Sequence, residues 1–358
     1  LNIDIVRPRE LSADEMARWG VLQAADPDVA NPFFSARWPK AVEHAQGDAC
    51  GVRVAVLHDR GQIKGFFPAR IQGSTAMACG APMCDYQGLV AASDVKLDGR
   101  ALLAAFGVGR YDFSHMPEGQ KTFASHIRGA SPSWIARLPF GYDVYAADKR
   151  EESSIIKDTD KRRRRAEREL GPVTFTAFSR SKTDFEQLIA WKRANYRATG
   201  QTDIFDAEWT LTLLRELFAS RDPAFGGALY TLHIGDELAA AHFHLRGQDV
   251  IHAWIIAHNA AFDKVSPGML LFQDILRWMD DTPYTAIDFG PGDYRFKQQL
   301  ANDTCYVGHG FIGRPGASSF VRSAAYGIRD VAERLPLGQM SELPGKAMRR
   351  LDLIRALR

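Results

Sequence analysis

Residues 262–297 bring together groups able to hold an anion and to move a proton. Ser266-Pro267-Gly268 opens a segment in which Leu271, Phe272, Ile275 and Met279 recur at helical spacing. Serine is favoured at an N-cap, proline suits the first helical position, and glycine lets a ligand approach the backbone. The free N–H groups of that first turn, aided by the helix dipole, are expected to face a phosphate or pyrophosphate, with Lys264 at the rim. A predicted strand, Ala286–Phe289, then presents Asp288; Asp293 follows a Gly-Pro-Gly turn, and Lys297 comes soon after. A carboxylate placed there can bind and deprotonate an acceptor, and a general base contributes roughly 10²–10⁴-fold in rate. Asp288 and Asp293 are both candidates, and Lys297 is expected to pair with a carboxylate or a substrate phosphate.

His242 and His244 share one face of a predicted strand, and His252 lies on the next. Three histidines could ligate zinc if a three-residue turn paired His244 with His252. A two-residue turn at Gly247-Gln248 pairs His244 with Ile251 instead and turns His252 to the other face. The expectation is no metal, with His242 as an acid/base candidate and His244 beside it in an acceptor cleft. The basic run Lys161–Arg165 is diluted by Glu167 and Glu169 and has no interleaved aromatic residues, so no nucleic-acid partner is expected.

The elements that must position these groups form two similar series. The chain has 358 residues, enough for two sizeable cores, and its formal net charge of +2 gives no global field for nucleic acid. Four cysteines without a C-x-x-C pair fit a reduced, cytoplasmic protein. No apolar run approaches the ~20 residues of a membrane span, and residues 1–8 show no apolar leader. Ser12–Glu15 reads as a capping box, and Val52–Leu57 with Ile63–Ile71 as a hairpin. Helix Lys96–Phe106 and strand Arg110–His115 follow. The second series has a capping box at Thr183–Glu186, a helix ending near Gly200, a helix capped by Asp206, and a hairpin of Leu229–Ile234 with Leu238–Leu245. Val250–Ala257, the Ser266 helix and Ala286–Phe289 complete it. Leu57–Phe67 resembles Leu232–His242, and Tyr111-Asp112-Phe113 resembles Ile287-Asp288-Phe289, which points to a duplicated α/β unit. The expected divisions are 1–150, a basic linker helix at 151–171, 172–315, and a basic helical tail at 316–358 broken by Pro336, Gly338, Pro344 and Gly345. The tail is expected to pack on the body, with peripheral membrane or synthase contact as the alternative.

The motifs resemble the CelD/BcsL-type acyltransferases of cellulose and exopolysaccharide synthesis, within the GNAT superfamily and related to the FemAB aminoacyl transferases. The similarity rests on Ser266-Pro267-Gly268, Asp288-Phe289-Gly290-Pro291-Gly292-Asp293 through Lys297, Pro32–Trp38, Asp85-Tyr86, Lys161–Arg165, and Trp191 through Tyr196 to Gly200. Two departures stand out. Phe296 replaces the usual tyrosine, and Lys264–Gly268 keeps only one glycine of the superfamily's phosphate loop. The resemblance implies tandem GNAT-like domains, each a mixed, largely antiparallel sheet flanked by helices. It implies acetyl-CoA or another acyl-CoA held by Lys264, Ser266, Pro267, Gly268 and Met269, between two splayed parallel strands. It further implies a saccharide or lipid-linked saccharide acceptor, contacted by Trp38, Asp85, Tyr86, Lys161, Arg164, Trp191, Tyr196 and His244. Two alternatives remain open: an aminoacyl-tRNA-dependent transferase, and an inactive module that binds glycan or a partner.

Overall fold

Strand-forming segments from both series join one sheet in the computed structural model, which describes residues 1–335 and 338–358. Pro336 lies outside the described residues. In chain order the strands are β1 (Asn2–Val6), β2 (Val52–Asp59), β3 (Gln62–Gln72), β4 (Thr75–Ala78), β5 (Val90–Ala91), β6 (Arg110–Pro117) and β7 (Ile127–Arg137). They continue as β8 (Val173–Thr176), β9 (Gly226–Ile234), β10 (Glu237–Arg246), β11 (Val250–His258), β12 (Ala286–Pro291) and β13 (Asp303–Gly313). Their order across the sheet is β1-β2-β3-β4-β6-β13-β7-β12-β11-β10-β9-β8, with β5 beside β3. Only β4–β6 and β11–β12 pair in parallel among the described residues; the remaining pairings are antiparallel.

The two parallel joints reproduce each other. Asp112 stands opposite Met77 at the last paired position of one, and Asp288 opposite His252 at the last paired position of the other. The similarity of Tyr111-Asp112-Phe113 to Ile287-Asp288-Phe289 is therefore positional as well as chemical. The units also exchange their final strands. β7 pairs with β12, and β13 enters between β6 and β7.

One apolar cluster runs under both halves on one face of the sheet. Helices Ala13–Ala24, Arg37–Gln46, Lys182–Thr199 and Glu208–Ala219 pack there through Trp19, Trp38, Phe185 and Leu213. On the opposite face, helices Tyr142–Glu152, Ile155–Glu169 and Pro267–Trp278 cover the second half, and Gly99–Ala105 covers the first. Ser12 and Glu15 form the expected capping box. The later helix is capped by Ser181 rather than Thr183, and it ends at Gly200 in the left-handed conformation. Asp206 lies in a short 3-10 turn, and Ala207 precedes the next helix without a side-chain cap.

Candidate functional site

Strand register places Asp288 at the base of a fork. β11 and β12 pair only from Val250–His252 to Ala286–Asp288 and then part. A bulge between Asp288 and Gly290 re-registers β12 on β7, and Gly290 adopts φ 72°. Bulges bend a strand locally, so β12 turns away from β11, whose remaining residues pair only with β10. Beyond the fork, no strand among the described residues lies between the facing edges of β11 and β12.

His252 occupies the centre of this base and is fully buried. Its Nε2 lies 2.9 Å from Asp85 Oδ2, and its Nδ1 lies 3.5 Å from Asp288 Oδ1. Asn31 Nδ2 donates to Asp288 Oδ2 at 2.8 Å and lies 3.1 Å from His252 Nδ1. The Asn31 amide is held in that sense because its Oδ1 accepts from the Phe33 N–H. Gly290 N–H donates to Asp288 Oδ1 at 2.7 Å. Tyr86 packs edge-on to the His252 ring and donates to Ser133 Oγ at 2.6 Å. Asp85 comes from the first unit, and its side chain keeps 32% exposure, against 4% for Asp288. It is thus the carboxylate within reach of a ligand.

Burial alone would lower the His252 pKa, but hydrogen bonding and charge from Asp288 and Asp85 outweigh burial and raise it to about 9. Burial would raise the Asp85 pKa; the hydrogen bond and charge of His252 overcome it and hold the carboxyl below its ordinary value. Two carboxylates flank His252, with Lys297 close enough to act on both, and the partly exposed Asp85 is placed to accept from an amine or hydroxyl group. Lys297 is buried and its pKa is lowered by that burial. It donates to Pro291 O at 2.8 Å and Gly290 O at 3.3 Å, bracing the bent strand.

At the mouth of the fork, Ser266 sits before the Pro267–Trp278 helix with φ 50° and makes no side-chain cap. The sequence places a cap residue there correctly, but the left-handed backbone carries the hydroxyl away from the first-turn amides. A Cβ on Gly268 would find its nearest neighbours at His242 Nε2, 3.7 Å, and His258 Nδ1, 3.9 Å. The first turn therefore has room over it. Lys264 is exposed beside it, and the Ile155–Glu169 helix packs against the Ala260–Val265 turn.

Residues 153–298 match the acetyltransferase (GNAT) domain family. That region contains the fork and the Pro267–Trp278 helix. FemX is a structural neighbour at 10% identity, covering 87% of this chain and 96% of its own, with TM-score 0.55. A conserved protein of unknown function from Bacteroides thetaiotaomicron superposes at 8% identity, with 86% and 100% coverage and TM-score 0.53. A tandem GNAT protein from the clavulanic acid biosynthesis pathway shares 11% identity, with 88% and 99% coverage and TM-score 0.47. No curated protein sequence matches the chain.

Within this arrangement the predicted residues separate. Asp288, Asp85 and Tyr86 meet at the fork. Tyr196 lies near enough that Asp203 and Asp85 add to the effect of burial, which pushes its phenol up to about 12. Asp293 is exposed and accepts from Gln298, away from the cluster. Lys297 binds backbone carbonyls rather than a carboxylate. His242 and His244 lie on the opposite face of the sheet. The β10–β11 register pairs His244 with Ala253 and Leu245 with His252, so His252 points away from both. His242 packs against Phe272, and burial lowers its pKa to about 3. Trp38 is a core residue whose Nε1 donates to Cys79 O, and Trp191 packs on the same core. Lys161 and Arg164 are exposed; Arg163 pairs with Asp274, and Arg165 and Arg168 pair with Glu169, which breaks up the basic run. His252, as a carboxylate-bridging residue, and Asn31 were not anticipated. The signal for His252 was available in its distance along β11 from the turn, and Asn31 had none.

Proposed function

We propose that the chain is an acyltransferase of the CelD/BcsL type that moves an acyl group from acyl-CoA to an amine or hydroxyl of a saccharide in exopolysaccharide or envelope polysaccharide synthesis. The observation that supports this reading most strongly is the β11–β12 fork, with a buried Asp85–His252–Asp288 cluster at its base and an open helix N-terminus at its mouth. The amide-bearing arm of the donor pairs with the free strand edges. Its phosphates rest on the first turn at Gly268, near Lys264. Acetyl-CoA is the simplest such donor.

An acceptor amine is held against Asp85, having first lost one proton from its ammonium form to solvent. Its lone pair attacks the thioester carbon, and as the C–N bond forms a second proton passes from the now-cationic nitrogen to Asp85. The C–S bond breaks, and the departing thiolate takes that second proton from Asp85. His252 and Asn31 position the two carboxylates, and Lys297 keeps β12 bent. Positioning of this kind supplies several kcal/mol of the barrier reduction, and the base adds roughly 10²–10⁴-fold. The test is calorimetric titration with acetyl-CoA and a long-chain acyl-CoA, followed by mass-shift detection of acylated glucosamine. Binding of either donor with thiol release is the expected result. No heat with both donors, and no acylated sugar, overturns the proposal.

A further inference from the structure

Helix Ala317–Arg334 is amphipathic with its faces reversed. Its polar side turns inward: Arg322 pairs with Asp112 at 3.2 Å and Asp352 at 2.8 Å, and Arg329 pairs with Glu333. Phe320, Val321, Ile328 and Val331 recur at helical spacing on the other side, with Leu335 just beyond, and these five are 48–74% exposed. Nine of the sixteen large apolar side chains left exposed among the described residues lie in Ala317–Arg358, under an eighth of the chain. A clustered apolar face of this kind marks an interaction surface.

Charge selects what covers it. Residues 314–358 hold nine Lys or Arg against four Asp or Glu, whereas the whole chain is only +2. The positive charge is therefore concentrated in the tail, and the rest of the molecule is negative. Arg350 and Arg358 are exposed and have no carboxylate partner among the described residues. A second copy docking through this face would set like charge against like. An anionic bilayer surface accepts both the apolar stripe and the cations. No helix among the described residues is long and apolar enough to cross a membrane, so the contact is with the surface.

We propose that the two tail helices, Ala317–Arg334 and Leu343–Leu357, dock the protein on an anionic lipid bilayer. Phe320, Val321, Ile328 and Val331 enter the acyl boundary, and Arg350 and Arg358 meet the headgroups. The inner side of the same helices is consistent with this orientation. Arg322, Arg329 and Arg349 line a cavity of about 340 Å³ that reaches Pro291 and Gly292 at the end of β12. The inference does not depend on the transferase reading.

The test uses the full chain with pelleted vesicles of phosphatidylcholine, alone or with about one-third phosphatidylglycerol. Pelleting is expected only with the anionic vesicles. Phe320→Glu and Ile328→Glu lie at exposed positions and should leave the melting temperature unchanged while lowering the bound fraction about tenfold. Arg350→Glu with Arg358→Glu should weaken binding as well. Failure to pellet with anionic vesicles overturns the proposal, and so does equal pelleting with neutral ones. Concentration-dependent dimerisation that Ile328→Glu abolishes, without vesicle binding, reassigns the face to a second copy.

Discussion

Replacing His252 with glutamine tests the buried cluster directly. Burial opposes the charged imidazole, yet Asp288 and Asp85 raise its pKa from 6.5 to about 9. A folded pKa above the unfolded one means that proton binding favours the folded state. The contribution is full below about pH 6.5 and is lost as pH rises through about 9. At roughly 1.4 kcal/mol per unit it amounts to about 3 kcal/mol. The lowered Asp85 pKa acts at the other end. Its contribution is present above the unfolded carboxyl value of about 4 and is lost as pH falls through the folded one. Glutamine carries no charge, so the variant leaves the two carboxylates without the imidazolium between them, a loss of about 3–5 kcal/mol. Urea unfolding of both proteins from about pH 6 to 9.5 measures the difference, and ¹⁵N NMR of His252 reads its titration. The two stability curves should converge as pH rises, with the NMR midpoint near 9. Parallel curves, or a midpoint at or below the ordinary histidine value, would refute the reasoning. They would mean that Nδ1 accepts from Asn31 instead of giving its proton to Asp288.

Four further substitutions separate the roles. Gly268→Ala meets no atom nearer than 3.7 Å, so the fold should tolerate it with a gain of up to about 1 kcal/mol, read by thermal melting. Acyl-CoA affinity measured by calorimetry should fall about tenfold as the methyl fills the space over the first turn. Asp85→Asn should lower turnover about 10²–10⁴-fold, whereas the exposed Asp293→Asn should leave it within about twofold; equal losses would remove Asp85 from the chemistry. Gly290→Ala forces a side chain into φ 72°, with Cβ at 3.1 Å from His252 Cε1 and 3.3 Å from Asp85 Oδ2. It should cost about 1–3 kcal/mol in urea unfolding and impair turnover together with stability.

What could be read from the sequence followed local rules. The hairpins β2–β3 and β9–β10, the helix from Pro267 and the Asp288 strand all announce themselves through alternation, turn residues and helical spacing. The exchanged strands do not. β7 contains Gly129, Ser131, Pro132 and Ser133, and β13 contains Gly308 and Gly310, compositions that ordinarily mark loops. They are strands because the other unit supplies their neighbours. Pro132 is tolerated because it lies one residue past the last pair of β7 with β12, Ser133 with Pro291. Gly310 is required because a Cβ there would lie 2.1 Å from the His126 carbonyl oxygen. The same non-local pairing decides the site. Asp288 was visible, but its partner His252 depended on the β10–β11 register and Asp85 on the docking of the two units. No spacing rule links Asn31 to a residue more than two hundred positions away.

The two parallel joints share topology and differ in what occupies them. At the first, Asp112 is met by Arg110, Arg322 and Arg355, the last two from the tail. Arg70 beside it donates to the Ala356 carbonyl, so the last helix lies across that opening. The helix corresponding to Pro267–Trp278 is Gly99–Ala105; Asp98 caps its first turn, and Ile312 fills the space a Cβ on Gly99 would need. A carboxylate already on those amides repels a phosphate, and the arginines paired with Asp112 offset the charge it would offer an ammonium. At the second joint Ser266 leaves its amides uncapped, and Asp288 faces a histidine that a second carboxylate shares. Each change at the first joint removes one feature that the proposed thioester donor or amine acceptor would use, and the second joint lacks those changes. Asp85, the more accessible carboxylate of the cluster, nevertheless comes from the first unit. That unit has given up its own opening and contributes a side chain to its neighbour's. On this arrangement the pair works as one site built from two units, and separating the halves should abolish the cluster even if each half folded.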